Sequence, residues 1–226
     1  MAIILMDLMG SPNIGIYSVV TESYAILPSG IPRRKVEKIQ ANLDVPVAQT
    51  LIGGTKLLGA LMAGNSNGII LPHLADESEV EAIRAATGVA TTVVEGKKTA
   101  FGNLILANDK GALVDPRLSR ASTKKISDAL GVEVCPATIA NLPYVGSLGR
   151  ATNRGAVVHP MASEEELRQA REVLKVNVEW GTVNQGVPFV ASGLLANSRG
   201  AALGSMTTGP EIVVIGQALD IAAEAG

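Results

Sequence analysis

The sequence contains the stretch Asn65-Ser66-Asn67-Gly68-Ile69-Ile70-Leu71-Pro72, and similar stretches begin at Asn108, Asn153 and Asn197. The glycine of this pattern recurs at steps of 43, 44 and 45 residues, at Gly68, Gly111, Gly155 and Gly200. A step of 44 back from Gly68 lands on Tyr24, in a fifth copy that has Tyr in place of Gly. A constant period of this size indicates one supersecondary unit that is used repeatedly.

Five units of about 45 residues fill the 226-residue chain, so the sequence predicts a single domain, 1–226. The predicted units are approximately 1–46, 47–90, 91–134, 135–178 and 179–226. Each unit has three apolar stretches, of which the second ends at the turn and the third leaves it. A helical pattern follows the third stretch. The predicted order in each unit is therefore strand, strand, strand, helix.

Local signals place the ends of several helices. The ranges Ser78–Glu81 and Ser163–Glu166 have the Ser-x-x-Glu spacing of capping boxes. Gly88 and Gly131 follow two helical patterns directly, where a left-handed residue closes a helix. The last helix is predicted from about Glu211 to Ala225.

The two ends of the chain favour a ring over an open array. An open array of repeats needs polar capping units, because each unit buries its faces against its neighbours. Neither terminal unit has a strongly polar helix, and the last helix is especially apolar. We therefore expect a closed, propeller-like ring in which the fifth unit packs on the first.

A second set of glycines precedes the turns. Four of them lie nine residues before Tyr24 or the turn glycine, at Gly15, Gly59, Gly102 and Gly146, and the nearest glycine in the fifth copy is Gly193. Glycines that face a common axis would let backbones approach closely, but a strand bend or bulge is the favoured interpretation. For the Asn-x-x-Gly turns, the simplest interpretation is a hairpin turn in which Asn and Gly supply positive φ.

Composition excludes several classes of function. The formal net charge is −2 and aromatic residues make up 3%, so neither a basic surface nor stacking aromatics point to DNA or RNA as the dominant partner. The longest uncharged apolar run, 57–75, is interrupted by Asn, Gly and Pro, which argues against a membrane span. No basic residue precedes the first apolar run, so we expect no secretory signal and a cytoplasmic protein.

Catalytic and metal-binding residues are scarce. Cys135 is the single cysteine, and a nucleophilic cysteine needs a base such as His73 or His159 close in space. A free cysteine more often behaves as a small hydrophobic residue. Two histidines without a close acidic partner make a poor metal site. We therefore expect no metal, no cofactor and no enzyme activity, with the weak charge favouring a binding role.

Several motifs together resemble the family of archaeal translation initiation factor 6, the counterparts of the eukaryotic ribosome anti-association factor. The resemblance covers essentially the whole chain. The residues that carry it are Asn13-Ile14-Gly15, Gly102-Asn103-Leu104, Asn108-Asp109, Gly155-Ala156-Val157-Val158-His159-Pro160 and Gly181-Thr182-Val183-Asn184-Gln185-Gly186.

The resemblance implies an α/β pentein fold, a closed ring of five pseudo-symmetric units. It also implies binding to the large (50S) ribosomal subunit at the surface where the small (30S) subunit docks. The implied partner is mainly ribosomal protein uL14, with the sarcin–ricin loop of the rRNA close by. Occupancy of that surface blocks subunit joining by steric exclusion, in translation initiation and ribosome biogenesis. The end of the chain soon after Ala223 agrees with an archaeal form that lacks the long eukaryotic tail.

One end of the ring is the candidate ribosome-binding face. Its candidate contact residues, chosen for their spacing and family motifs, are Asn13, Asn65, Asn103, Asn153, Asn184 and Asn197. A closed ring leaves few free strand edges, so we expect a monomer. The alternative function is that of another pentein class, the amidino-group hydrolases, with Cys135 as nucleophile. A third alternative is an interaction scaffold unrelated to ribosomes.

Overall fold

The structure is a computed structural model that describes residues 3–221. The strands, in chain order, are β1 (Ile3–Met6), β2 (Val19–Val20), β3 (Ala25–Pro28), β4 (Val47–Thr50), β5 (Ala63–Gly64), β6 (Gly68–Pro72), β7 (Ala90–Val94), β8 (Ile105–Ala107), β9 (Ala112–Val114), β10 (Val134–Pro136), β11 (Gly149–Ala151), β12 (Gly155–Val158), β13 (Asn177–Trp180), β14 (Leu194–Ala196) and β15 (Ala201–Gly204). The helices are α1 (Ile14–Tyr17), α2 (Arg33–Leu43), α3 (Leu58–Leu61), α4 (Glu77–Thr87), α5 (Phe101–Leu104), α6 (Arg120–Leu130), α7 (Val145–Leu148), α8 (Glu164–Leu174), α9 (Val190–Gly193) and α10 (Gly209–Ala218).

The described residues form five three-stranded sheets with one topology. The first two strands of each sheet are an antiparallel hairpin, for example β2 with β3, and the third strand lies parallel to the second. A long helix makes the crossover between the parallel strands in four sheets, as parallel pairing requires. The predicted alternation of three strands and a helix is confirmed. The one-turn helices α1, α3, α5, α7 and α9 were not predicted, because four residues are too few for a helical period.

The helix-end predictions are mostly confirmed. Ser163 and Glu166 form a capping box at α8, and Gly88 and Gly131 are left-handed, with φ of 69° and 64°. The box predicted at 78–81 is wrong, because α4 begins two residues earlier with the N-cap at Asp76. Both registers place a short polar side chain three residues before a Glu, so spacing alone does not separate them. The helix α10 ends at Ala218, and 222–225 of its predicted extent lie outside the described residues.

The predicted unit boundaries do not coincide with the sheets. The boundary at 46/47 separates β3 from its hydrogen-bonded partner β4, and the boundaries at 90/91, 134/135 and 178/179 fall inside β7, β10 and β13. Four sheets instead span 19–50, 63–94, 105–136 and 149–180. A repeat period determines the length of the unit but not which strands pair. The sequence therefore did not predict where each sheet begins and ends.

The fifth sheet takes its third strand from the other end of the chain. β1 lies parallel to β15, with Ile3 opposite Ala201 and Met6 opposite Gly204. The five one-turn helices also contact one another in cyclic order, and α9 contacts α1. The contacts between units therefore close a cycle, and the fifth unit packs on the first, as the sequence predicted.

The second set of glycines lies where the one-turn helices meet. A Cβ on Gly59 would lie well under 3.0 Å from the carbonyl oxygen of Gly15, and Gly102 and Gly146 meet the preceding helix in the same way. The favoured interpretation, a strand bend or bulge, is thus wrong, and the less favoured one, close backbone approach, describes these glycines. In the fifth unit the equivalent residue is Ala191, whose carbonyl meets Gly15, and not Gly193.

The turn glycines have a similar steric role. None of the Asn-x-x-Gly residues has positive φ, so that explanation of the turns is wrong. A Cβ on Gly68, Gly111 or Gly155 would instead lie well under 3.0 Å from a carbonyl oxygen at the end of a long helix of another unit. The glycine is therefore required by packing between units, which a turn propensity does not report.

Candidate functional site

The ring has two ends of different construction. Each hairpin begins just after a one-turn helix and then reaches its turn, so helices and turns lie at opposite ends of the same strands. We call the one-turn helices and the loops before them the helix end. The turn end comprises the five turns 21–24, 65–68, 108–111, 152–155 and 197–200.

Two carboxylates tie the turn end together. Glu22 accepts hydrogen bonds from the backbone N of Asn153 (2.9 Å) and from the backbone N and Oγ of Ser198 (3.0 and 2.7 Å). Asp109 accepts from the backbone N and Oγ of Ser66 (2.7 and 2.9 Å) and from Nδ2 of Asn153 (2.7 Å). Charge-assisted hydrogen bonds of this kind are among the stronger ones. Here they connect the turns of all five units.

Buried asparagines extend these links into the ring. Nδ2 of Asn65 donates to the carbonyl oxygens of Asn108 (3.1 Å) and Leu130 (2.9 Å). Its Oδ1 accepts from two backbone N–H groups of its own turn. Asn108 repeats this pattern, and Asn197 donates to Leu43. The asparagines of the repeat are therefore internal ties between units.

Tyr24 replaces one of these ties. The first turn has Thr21 in the position of the asparagine. The Oγ1 atom of Thr21 forms hydrogen bonds only within its own turn. The hydroxyl of Tyr24 donates instead to the carbonyl oxygen of Asn65 at 3.1 Å, and the ring is buried. Burial raises the pKa of this phenol, so it stays protonated and remains a donor. Tyr24, which stands in place of the repeat glycine, thus keeps a hydrogen bond between the first and second units.

The helix end is more apolar and open. Leu57, Tyr144 and Phe189 occupy equivalent positions before three one-turn helices, and each is more than 40% exposed. Phe189 also lines a depression of about 180 Å³ on the ring axis, between the one-turn helices. Its lining includes Asn103, Ser147 and Ser192 together with the axial glycines. Interface cores favour such aromatic and aliphatic side chains, so this end has the character of a protein-docking surface.

One carboxylate fixes each of three loops at the helix end. Glu211 caps α10 and also accepts from the backbone N of Gln185 (3.2 Å) and Gly186 (2.8 Å). Glu166 and Glu79 hold the loops at 140–141 and 53–54 in the same way. Burial alone would raise the pKa of Glu211, but its hydrogen-bond donors lower it to about 2. Sequence reasoning identified the cap at Glu166 but not the second role of these residues.

A buried ion pair supports Tyr144. Asp115 is fully buried and binds Arg117 (2.7 Å) and Lys98 (2.8 Å). These partners outweigh burial and hold the pKa of Asp115 at about 2. The guanidinium of Arg117 lies 5.0 Å from the centre of the Tyr144 ring, in cation–π contact. The exposed aromatic ring is thus held in place by a neighbouring unit.

The six candidate asparagines divide between the two ends. Asn13, Asn103 and Asn184 lie at the helix end, where Nδ2 of Asn184 is 3.4 Å from Oδ1 of Asn13. Asn65, Asn153 and Asn197 lie at the turn end. The expectation of one shared face is therefore corrected, because a strand separates the two groups. Asn65, Asn184 and Asn197 are also buried, so their side chains are structural.

Cys135 does not lie in a catalytic arrangement. It is half-buried on β10, where its Sγ contacts Nε2 of Gln169 at 3.4 Å. No hydrogen bond joins it to His73 or His159 within residues 3–221. His159 packs edge-on against Phe189, and burial lowers the pKa of its imidazole. The same residues contain no group of three or more His, Cys, Asp or Glu side chains suited to a metal ion.

In the described part of the chain, every helix is too short or too polar to cross a bilayer.

Comparison with known proteins identifies relatives along the whole chain. A family model described as the eIF-6 family matches residues 3–218. Translation initiation factor 6 of Pyrococcus abyssi is 45% identical over 221 residues, with 96% of this chain and 97% of the relative covered. The proteins of the same name from Pyrococcus horikoshii and Staphylothermus marinus are 44% and 40% identical, covering 95% and 97% of this chain and 96% and 98% of theirs.

A solved structure of DDAH from Pseudomonas aeruginosa, in complex with citrulline, is also similar. It has 12% identity and a TM-score of 0.47, and the match covers 74% of this chain and 68% of that one. A likeness at this level bears on neither the activity nor the ligands of this protein. The family model and the near-full-length relatives together show that the chain belongs to the eIF-6 family.

Proposed function

We propose that this protein binds the large (50S) ribosomal subunit through the helix end of its ring and thereby prevents association with the small (30S) subunit. Membership of the eIF-6 family supports a role in translation initiation. Ribosomal protein uL14 is the proposed main partner, with the sarcin–ricin loop of the rRNA nearby. The protein acts in the cytoplasm as a monomer, and the block arises from occupancy of a surface.

We choose the helix end as the docking surface because of its exposed apolar side chains. Leu57, Tyr144 and Phe189 are 44%, 42% and 43% exposed, and Phe189 lines the axial depression. At the turn end the polar groups are bonded to one another, which leaves fewer groups to bind a partner. A partner that covers about 800 Å² of the helix end would form an interface of standard size. A net charge of −2 favours a protein partner over the RNA backbone.

Matched substitutions at the two ends test the proposal. Leu57→Glu and Ser23→Glu each add one negative charge at an exposed residue, the first at the helix end and the second at the turn end. We expect Leu57→Glu to weaken co-sedimentation with purified large subunits at least about tenfold, because a charge is placed in an apolar interface core. It should also release subunit joining, whereas Ser23→Glu should change binding less than about twofold.

The outcomes separate the surfaces. Loss of binding in Ser23→Glu alone would assign docking to the turn end. Wild-type co-sedimentation and joining in both folded variants would exclude both ends. Asn103→Ser is a milder test of the helix end, since Asn103 lines the depression. Asn184→Ala is unsuitable as a contact test, because the Asn184 side chain is buried and donates to the Pro12 carbonyl at 3.0 Å.

A further inference from the structure

Arg150 is a half-buried cation on the axis of the ring. It lies in the middle of β11, two residues before the turn, where the other four units have Val19, Ala63, Leu106 and Leu195. Its side chain lines a cavity of about 30 Å³ on the ring axis, which we call the axial cavity. Residues of four units line this cavity, including Val20, Gly64 and Ala107. One unit thus places a charge where the others place an apolar group.

The charge of Arg150 has no carboxylate partner among residues 3–221. Its Nε donates to the carbonyl oxygen of Leu194 at 3.2 Å, and no Asp or Glu oxygen in that part of the chain lies within 4.0 Å of the guanidinium. Glu22 and Asp109 line the next cavity along the axis, but their oxygens accept the hydrogen bonds of the turn end. Within the described residues neither Nη group donates a hydrogen bond, so both can bind another acceptor in the cavity.

Deprotonation does not relieve this charge. Burial lowers the pKa of Arg150 to about 10, which leaves the guanidinium charged at neutral pH. Arg150 is half-buried, and a charge that is partly withdrawn from water is costly unless an opposite charge or several hydrogen bonds compensate it. A compensating group in the axial cavity would have to be both anionic and small.

We propose that the axial cavity binds a small monovalent anion, such as chloride, against the Nη groups of Arg150. A water molecule needs about 10–15 Å³ of such space, so a cavity of about 30 Å³ holds one halide with one water and excludes larger anions such as gluconate. Because Nε of Arg150 also binds the fifth unit through Leu194, the bound anion stabilises the junction between the fourth and fifth units.

Anion-dependent unfolding tests the site. The melting temperature Tm is measured at fixed pH and ionic strength, in sodium chloride or in sodium gluconate, after refolding in each salt. A ligand at 100 times its dissociation constant raises the Tm of a domain of this size by about 5–10 °C. We expect this rise in chloride for the wild type, and no difference between salts for Arg150→Leu, which restores the residue of two other units. Arg168→Met, at an exposed arginine of the same unit, should keep the wild-type difference.

Crystals grown in sodium bromide give a second measurement that does not depend on a variant. We expect an anomalous peak within about 3.5 Å of the Arg150 Nη atoms. A Tm difference that persists in Arg150→Leu would assign the effect to another site and overturn the proposal. Equal Tm values in both salts, or axial density without an anomalous signal, would also overturn it by showing that water alone solvates the guanidinium.

Discussion

The two ends of the ring are built from the same repeated unit but present different surfaces. At the turn end, Glu22, Asp109 and the buried asparagines use their polar groups on neighbouring units. At the helix end, the equivalent positions before the one-turn helices project Leu57, Tyr144 and Phe189 into solvent. Backbone contacts between the one-turn helices also join the units at the helix end, but there the apolar side chains before these helices stay exposed.

The largest expected loss of stability concerns a feature that both ends share, the close packing of glycines against backbone carbonyls of other units. Gly59→Ala at the helix end and Gly68→Ala at the turn end each place a Cβ against a backbone carbonyl, which cannot move without shifting a unit. We expect each to lower the free energy of unfolding by at least about 3 kcal/mol in chemical denaturation. The control Gly209→Ala meets no atom within 4 Å and should be near neutral. Wild-type stability in Gly59→Ala would contradict close packing at the axis.

The second prediction compares one asparagine from each end. Asn65→Ala removes four hydrogen bonds and leaves buried backbone groups unpaired, so we expect a loss of about 3 kcal/mol in the free energy of unfolding. Asn103→Ala removes no hydrogen bond within the described residues and should change stability by less than about 0.5 kcal/mol. Equal losses in the two variants, measured by urea denaturation, would remove the distinction between a structural and a contact asparagine.

Acid should lower the free energy of unfolding by protonating Glu211 at the helix end. Its folded pKa of about 2 is below the value of about 4.3 in an unfolded chain, so its stabilising contribution is full above pH 4.3 and is lost as pH falls towards 2. We expect this contribution to be about 2 kcal/mol. Denaturation at pH 7 and pH 2.5 measures it, and Glu211→Gln should lose correspondingly less stability on acidification. Glu37→Gln, at an exposed helix position, should follow the wild-type pH dependence.

The smallest effect concerns the carboxylate at the turn end. Glu22→Gln keeps one acceptor oxygen but loses the charge that strengthens bonds from two other units. We expect a loss of about 1 kcal/mol in the free energy of unfolding, with binding to the large subunit unchanged. Weaker co-sedimentation without loss of stability would instead indicate that the turn end contacts the partner.

Much of the fold could be predicted from sequence because it follows from repetition. The steps between Gly68 and Gly200 predicted the period, and the step back to Tyr24 predicted the fifth unit. The Ser163 cap and Gly88 predicted helix ends. The pairing frame could not be predicted, since periodicity does not say that β4 belongs with β3. The one-turn helices were also missed, because their glycines serve contacts between units and leave no local pattern.

The candidate site was less predictable than the fold. Sequence reasoning assigned Asn65 and Asn103 to one candidate face, yet the side chain of Asn65 is a buried link between units and Asn103 lines the axial depression. The double role of Glu211 and the axial position of Arg150 depend on residues far away in the chain. An amphipathic pattern reports burial within a unit, but it does not report which face of the unit meets another.

By itself, the sequence determined that this protein consists of five similar α/β units, because each unit repeats its own turns, caps and apolar stretches. Only the tertiary structure decided which strand completes each sheet, which asparagines are buried and which end of the ring stays apolar and exposed. The physical reason is that local propensities act over a few residues, whereas closure of the ring joins Ile3 to Ala201 and Glu22 to Ser198.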